Sequence, residues 1–461
     1  MNSFLSRNLK NSHMYANKII LAPMVRVGTL PMRLLALDYG ADLVYCEELI
    51  DFKLLRSIRK VNDVLGTVDY IDQTDGTIIF RTCQREKDKV ILQLGTSDPE
   101  RAVKVGKLVE NDVAGIDINM GCPKEFSIKG GMGAALLGEP EKAEAILRKL
   151  VNNLNIPVTC KVRVLNDTNQ TIELCHRFEK TGIAAIAIHG RTKDERPQHA
   201  NRNSVLKEVA KVLQIPVIAN GGSKEIESYN DIVKFREETG CSSVMLARAA
   251  EWNCSIFSKN GKVGIETIIK EYLKYAIDYD NAPANTKYCI QNILKELQET
   301  PMGKKFLEAQ TMEQISLVWG MDNYCREKQQ LLREMGFKGR REVEPLLFNV
   351  EPRLKKPKLE MEKDVVRISC AFLRSIFPTD IDLPKTKLLM WTRKQHIEQP
   401  KYNTIQEDKL FQSVVTVNGK KYGSSYWEKN KRWAEQSAAI VGLINLGLLD
   451  EDKLKKSGCI L

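Results

Sequence analysis

One cysteine of the eleven in the chain has neighbours suited to chemistry. Cys122 closes the segment NMGCP (119–123) and is followed by KEFSIKGGMGAALL, a basic stretch whose small residues make a flexible loop. A thiol with an ordinary pKa of about 8.5 is mostly protonated at neutral pH and can serve as a general acid, whereas nucleophilic attack needs the thiolate. No catalytic Cys/His hydrolase signature accompanies it, which favours the acid. No CxxC pair, no HExxH and no clustered Cys/His spacing occurs, so no metal site competes. Several other residues stand, like Cys122, at the ends of apolar runs: Pro23 and Met24, Gln93, Lys161 and Arg163, His189 and Arg191, Asn220, Gly221 and Gly222, and Ala247 and Arg248. Paired glycines let backbone N–H groups approach an anion, and an arginine on the next run neutralises it. Taken singly, Gln93 or Lys161 reads equally well as a capping or ion-pair residue.

Those runs define the scaffold. IILAPM, LVYCEEL, VILQLG, GIDINM, VTCKVRV, AIAIHG, PVIANGG and SSVMLARA begin at 19, 43, 90, 115, 158, 185, 216 and 242. Each is nearly continuously apolar, as parallel strands covered on both faces must be, and most intervals hold a crossover helix. Eight such units predict an α/β TIM (β/α)8 barrel over residues 19–260, behind an N-terminal extension at 1–18. An open doubly wound sheet is the competing arrangement. The interval after the second run is too long for one helix, and DYIDQTDGTIIF (69–80) reads as a hairpin turning at Asp75-Gly76. In a barrel the strand ends converge on one face, which gathers the residues above into a phosphate cradle that fits FMN. There Lys161 would face the negative charge of a reduced flavin and Gln93 its ring edge.

Past the barrel, residues 261–345 carry apolar side chains at three- and four-residue spacing with no strand-like run, an all-α domain. Residues 346–363 contain the charged, proline-bearing EPRLKKPKLEMEK and form a linker. Residues 364–450 follow as an α+β module: a helix opened by Pro384, strand-like LFQSVVTVNG and KKYGSSYWE turning at Asn418-Gly419, and a last helix from about 430. The order is αβ(β)α, with a frayed tail at 451–461. Its Cys459 stands third from the end, where a prenylation signal needs it fourth.

Composition bounds the function. The 461 residues carry 70 Lys plus Arg against 59 Asp plus Glu, a net charge of +11, which points to a polyanionic partner. Residues 385–435 hold eleven of those cations against five acids, so more than half of the net charge sits in one short stretch. An odd cysteine count without paired spacing argues for a reducing, cytoplasmic setting. Arg7, Lys10 and Lys18 precede no apolar core of a secretion signal, and no run reaches the length of a membrane span.

The segment NMGCPKEFSIKGGMGAALL (119–137), with APM, LQLG, CKVR, HGRT, IANGG and MLARAA in that order, resembles the tRNA-dihydrouridine synthases. The C-terminal module resembles a double-stranded RNA-binding domain, an addition typical of the eukaryotic branch that acts on uridine 20 of the D-loop. The resemblance implies FMN contacts from Pro23, Met24, Gln93, Lys161, His189, Asn220, Gly221, Gly222, Ala247 and Arg248. It implies Cys122 as proton donor and Arg163 and Arg191 as RNA or phosphate contacts. In the module, Lys385 at the start of its first helix and Lys429, Lys431 and Arg432 at the start of its last are the expected phosphate contacts. Two family features are missing: a Gly-Pro-x-His loop around Glu407 to Lys409, and the final cation of a Lys-Lys-x-Ala-Lys run, which stands here as Glu435.

The expected reaction is the reduction of a tRNA uridine to 5,6-dihydrouridine. NADPH would reduce FMN, flavin N5 would pass hydride to uracil C6, and Cys122 would protonate C5. Two other readings compete. An FMN dehydrogenase of free dihydropyrimidines explains the barrel but leaves residues 364–450 without work. An RNA-binding adaptor that regulates a duplex-RNA-sensing or translation-associated partner explains the module, but the intact set of strand-end residues counts against a decayed barrel.

Overall fold

The structure is a computed structural model that describes residues 12–337, 364–407, 410–428 and 430–460. The described residues fall into two compact units, one within Met1–Ile293 and Asn323–Arg340, the other within Leu294–Asp322 and Arg341–Leu461.

The first unit contains twelve strands: β1 (Ile19–Leu21), β2 (Leu43–Tyr45), β3 (Leu49–Ile50), β4 (Ser57–Asn62), β5 (Thr67–Asp72), β6 (Ile78–Cys83), β7 (Val90–Gly95), β8 (Gly115–Met120), β9 (Val158–Arg163), β10 (Ala185–His189), β11 (Val217–Asn220) and β12 (Ser243–Leu246). Strands β1, β2 and β7 to β12 form a parallel barrel, closed where Ile19 pairs with Val244. Closure excludes the open sheet. These strands are buried along nearly their whole length, and amphipathic helices cover them. Helix Pro140–Asn153, begun by a proline, buries Ala143, Ile146, Leu147 and Leu150 along one stripe. Helix Tyr229–Thr239 is opened by a Ser228/Asp231 capping box and closed by Gly240 at φ +60.

Between β2 and β7 the chain leaves the barrel. Strands β5 and β6 make the expected hairpin, with Gly76 at φ +73 in its turn, and β4 adds an unexpected third strand. SIRKVN gave no sign of it because most of its residues are exposed, without the alternation of a half-buried strand. Two ion pairs fix this sheet in the interior: Arg81 clasps Asp69 through two bonds of 2.6 Å, and Arg33 clasps Glu86 at 2.6 and 2.8 Å. Each guanidinium also reaches backbone carbonyls, so few polar atoms are left unmet.

The helices Ile265–Asp278, Pro283–Leu294 and Asp322–Glu334 fall almost wholly in the first unit, while Pro301–Glu308 and Met312–Val318 belong to the second. The second unit also holds β13 (Val365–Ile368), helix Pro384–Lys394, β14 (Lys401–Glu407), β15 (Leu410–Val417), β16 (Lys420–Ser424), and helices Lys431–Asn445 and Glu451–Lys456. Its sheet runs β13-β16-β15-β14. The hairpin of β15 and β16 turns through Asn418 and Gly419, both at positive φ. Strands β13 and β14 exceed the expected αβ(β)α order. Residues 451–460 differ from the expected frayed tail: they form a helix, and beyond it Ile460 bridges to Cys370. Cys459 is fully buried with its thiol on the Ala371 carbonyl at 2.7 Å, so packing holds the end in place. The linker at 346–363 lies outside the described residues.

Candidate active site

A row of buried side chains sets the end of β8. Thr159 donates to Asp117 (2.7 Å), Gln93 donates to the other Asp117 oxygen (2.8 Å), and Asn119 donates to Gln93 (3.1 Å). The Asn119 carbonyl then accepts from the backbone N–H groups of Gly121 and Cys122, both at 3.0 Å. Each member orients the next, and the row delivers Cys122 to the mouth of the barrel. Burial pushes the Asp117 carboxyl up to about 6. Gln93 spends one amide hydrogen on this row and keeps a second.

Ten of the eleven cysteines are buried, and Cys122 is the half-exposed exception. Burial, and after it the charge of Glu48, raise its thiol above the usual range, which keeps it protonated. The loop behind it turns through Gly133 at φ +58, where a Cβ would lie 2.7 Å from the Cys122 carbonyl oxygen and against Ser127 Oγ. Any side chain there would force the loop off the cysteine. The Ala134 N–H closes the turn onto the same carbonyl at 3.0 Å.

Beside the thiol, a cavity of about 420 Å³ is lined by basic side chains. Of the expected cofactor residues, His189, Asn220, Gly221, Ala247 and Arg248 line it, together with Arg163 and Arg191. Pro23, Met24, Gln93, Lys161 and Gly222 lie outside its lining. Gly222 has a packing role instead, because a Cβ there would meet the Phe235 ring at 2.8 Å. Arg163 braces the cysteine loop, donating to the Gly121 carbonyl at 2.7 Å and to Thr192 at 2.9 Å. Arg191 is 1% exposed and donates to the carbonyls of His199 (2.8 Å) and Gly221 (2.7 Å), while its Nη2 is buried with no partner. Such an orphan donor is costly unless an anion meets it.

The crowding of positive charge shows in the titrations. Burial and then Arg163 pull the Lys161 ammonium down to about 8. Burial, followed by Lys161, Arg163, Arg191 and Arg248, holds His189 down at about 2, so it is a neutral imidazole at any physiological pH.

Three residues of this site escaped the sequence reading. Glu48 acts on the Cys122 thiol through its charge, Asp117 anchors the amide row, and the Asn201 amide packs onto Gly190 and onto Gly221, which stands at φ +120. Asp117 is a carboxylate inside the apolar run GIDINM, which is a usable signal, whereas Glu48, just past β2 in YCEEL, gives none for the residue it acts on. Asn201 comes from an irregular loop and has none.

In the second unit, Lys431 and Arg432 are exposed in the first turn of helix Lys431–Asn445, whose N-cap Asn430 accepts from Trp433 N at 2.9 Å. Lys429 lies outside the described residues. Lys385 differs from the solvated cation expected: it is ion-paired with Glu435 and stands 4.6 Å from the centre of the Tyr402 ring. The acid that departs from the family's basic run thus answers a cation on the facing helix.

The model of the dihydrouridine synthase (Dus) family matches residues 20–346, and that of the double-stranded RNA binding motif matches residues 384–446. The chain is similar to the tRNA-dihydrouridine(20) synthase [NAD(P)+] of Schizosaccharomyces pombe, 42% identical over 291 residues that cover 61% of this chain and 60% of the relative. It is also similar to the Saccharomyces cerevisiae protein of the same name, 35% identical over 322 residues that cover 66% of this chain and 83% of that one. The crystal structure of a tRNA-dihydrouridine(20) synthase dsRBD domain is 45% identical, with coverage of 18% of this chain and 92% of that one and a TM-score of 0.18.

Proposed function

From the premise that the chain belongs to the dihydrouridine synthase family, we propose that it reduces the uridine at position 20 of the tRNA D-loop to 5,6-dihydrouridine, in the cytoplasm, with NADPH as electron donor and FMN as cofactor. One observation carries this reading: a single half-exposed thiol, kept protonated, stands at the mouth of a barrel beside a basic cavity.

The residues present suit FMN. The unpartnered Arg191 Nη2, together with Arg248 and the Gly221 backbone, would hold its phosphate, since a dianion there satisfies a donor that nothing else meets. The second Gln93 hydrogen would meet the edge of the ring. When bound, FMN supplies the hydride that uracil C6 receives.

The chain's own groups do the rest. Cys122 gives its proton to C5, an acid role that its raised pKa suits. Lys161, cationic below about 8, sets positive charge against the electron-rich cofactor and stabilises charge that develops during transfer. His189, being neutral, donates or accepts a hydrogen bond and takes no part as an acid. A uridine must leave its stack to enter a barrel mouth, which costs a few kcal/mol. Phosphate contacts from Lys431 and Arg432 would offset that cost. The eleven unpaired thiols suit a reducing cytoplasm.

The test is mass spectrometry of tRNA from cells that lack the protein, with restoration by the purified, yellow enzyme and NADPH. Dihydrouridine should vanish at position 20 and return on addition. Unchanged dihydrouridine in the deleted cells would sink the proposal.

A further inference from the structure

We infer that Phe126 is the platform on which the enzyme stacks the tRNA base next to its target uridine, so that the uridine stays out of the RNA stack while Cys122 acts on it. The inference rests on the uridine-reducing reading above and deepens it, because it names a contact to a second nucleotide.

Among the described residues two phenylalanines are more than half exposed, Phe52 at 62% and Phe126 at 52%, and they follow β3 and β8 in the chain. The Arg101 guanidinium lies 4.2 Å from the centre of the Phe52 ring, so that ring has a partner. Among the described residues no other ring and no cation lies over Phe126. The turn that carries it is pinned. Helix Glu125–Lys129 is a single turn in which the Lys124 carbonyl accepts from the Ser127 and Ile128 N–H groups at 3.0 and 3.1 Å, and the Ser127 carbonyl accepts from the Met132 N–H at 2.9 Å. Ser127 is fully buried, whereas Phe126 before it and Ile128 after it are exposed. The loop thus sinks its small polar residue and holds an aromatic ring out.

Position decides the occupant. Phe126 lies four residues beyond Cys122, at most roughly 14 Å along the chain. The Ala134 N–H on the Cys122 carbonyl ties the far end of the loop to the same point. A uridine whose C5 meets the thiol is still bonded to its two neighbours in the RNA, which brings a neighbouring base within reach of this loop. That base has lost the uridine as a stacking partner and offers a bare face, and the Phe126 ring offers another. Lys124, exposed and in the lining of the basic cavity, supplies a cation for the adjoining phosphate. A ring beside a cation holds single-stranded RNA without reading its sequence.

The test uses the full-length flavoprotein and tRNA in which 5-iodouridine replaces the base on one side of the target uridine, then the base on the other. Under long-wavelength light 5-iodouracil couples to an aromatic ring stacked on it, so peptide mass spectrometry should find the RNA on Phe126 for one of the two positions. The crosslink should disappear in Phe126→Ala and persist in Phe126→Tyr. A second readout is the rate of dihydrouridine formation in a single turnover with enzyme in excess. Phe126→Ala should lower it about 10-fold, Phe126→Leu nearly as much and Phe126→Tyr little, since stacking needs the face of a ring. An abasic site at the crosslinking position should slow the native enzyme by a similar factor and Phe126→Ala by little more, because both changes remove the same contact. Rates that fall by the product of the two factors overturn the inference, and so does a native enzyme with no crosslink on Phe126 at either position. A KM for NADPH that rises in Phe126→Ala with no RNA present, beside a native rate on tRNA, gives the ring to the nicotinamide and overturns it too. If Phe126→Ala loses its flavin, Phe126→Leu carries the same comparison. A crosslink on Phe126 in a native enzyme that reduces no uridine would defeat the functional reading alone, whereas an active enzyme without that crosslink defeats this inference alone.

Discussion

The barrel mouth and the C-terminal module are both basic, yet their cations live under opposite conditions. At the mouth, Lys161, Arg163 and Arg191 are buried or half-buried, repel one another, and have their pKa values pulled down. Crowded, desolvated cations of that kind cost free energy that an anion in the cavity would relieve. On the module, Lys431 and Arg432 are exposed, and Lys385 is already paired with Glu435. Solvated cations of that kind can meet phosphates and orient an RNA, but they stand away from any reacting group. The contrast predicts that damage at the mouth changes chemistry or cofactor, that damage on the module changes RNA affinity alone, and that effects shrink from the first region to the second.

The largest effect should come from Cys122→Ala. With the proton donor gone and no other thiol near the mouth, uridine reduction should fall by roughly 10²-fold or more while bound flavin is retained. Rapid-quench measurement of dihydrouridine checks the rate and absorbance of the purified protein checks the flavin. Loss of both together would make Cys122 structural and erase the contrast.

Next comes the basic cavity. Arg248→Ala should weaken flavin binding by about 10-fold or more, as expected for loss of one charge-assisted contact to phosphate, measurable by fluorescence titration of the apoprotein. Lys161→Met should act differently. Its ammonium is held at about 8, below its unfolded value, so the unfolded chain binds more protons at higher pH and apo stability rises as pH climbs through and above 8. Removing the charge should therefore raise the apo melting temperature at neutral pH while slowing reduction. In the native enzyme the rate should decline as pH rises through about 8 and Lys161 loses its proton. A flat rate between neutral pH and 9 in the native enzyme, matched by Lys161→Met, would remove Lys161 from the reaction.

The sequence made the barrel legible because burial on both faces forces near-continuous apolar runs, and the observed strands begin within one residue of the expected starts, such as Val217 for 216 and Ser243 for 242. The same argument placed Cys122, His189, Asn220 and Arg248 near one mouth, since parallel strand ends must converge. It failed where periodicity is absent. Strand β4 is mostly exposed, and β14 was masked by a polar, proline-preceded run beginning at Lys401. Glu48 was missed because an acid just past a strand end does not announce the residue its charge acts on. Ser127 reads as an ordinary loop serine until Gly133 folds the chain back over it.

On the module, reversing Lys431 and Arg432 to Glu should weaken tRNA binding by about 10-fold at low salt and flatten the log-log salt dependence by about 0.7 to 0.9 per lost contact. Flavin content should stay native. Fluorescence anisotropy with labelled tRNA across a salt series reads both quantities. A native salt slope would remove these two cations from the interface and leave the module's phosphate contacts to other residues.

The smallest effect should fall on Lys385, and it tests the comparison from inside the module. Lys385 shares the net charge of the 385–435 stretch, so a count of cations ranks it with Lys431. The structure ranks it lower, because Glu435 neutralises it and the Tyr402 ring lies beneath it, with side-chain exposures of 32% for Lys385 and 13% for Glu435. Lys385→Met should change tRNA affinity by less than about 2-fold and cost the module at most ~1 kcal/mol of stability. Glu435→Gln should do the reverse. With its partner neutral, Lys385 regains a net charge that phosphate can use, so affinity should rise slightly and the salt slope should steepen by no more than the value of one contact, about 0.9. If Lys385→Met instead weakens binding as much as the Lys431 and Arg432 reversal, RNA must draw Lys385 away from Glu435, and the pair would serve as a latch that the substrate opens.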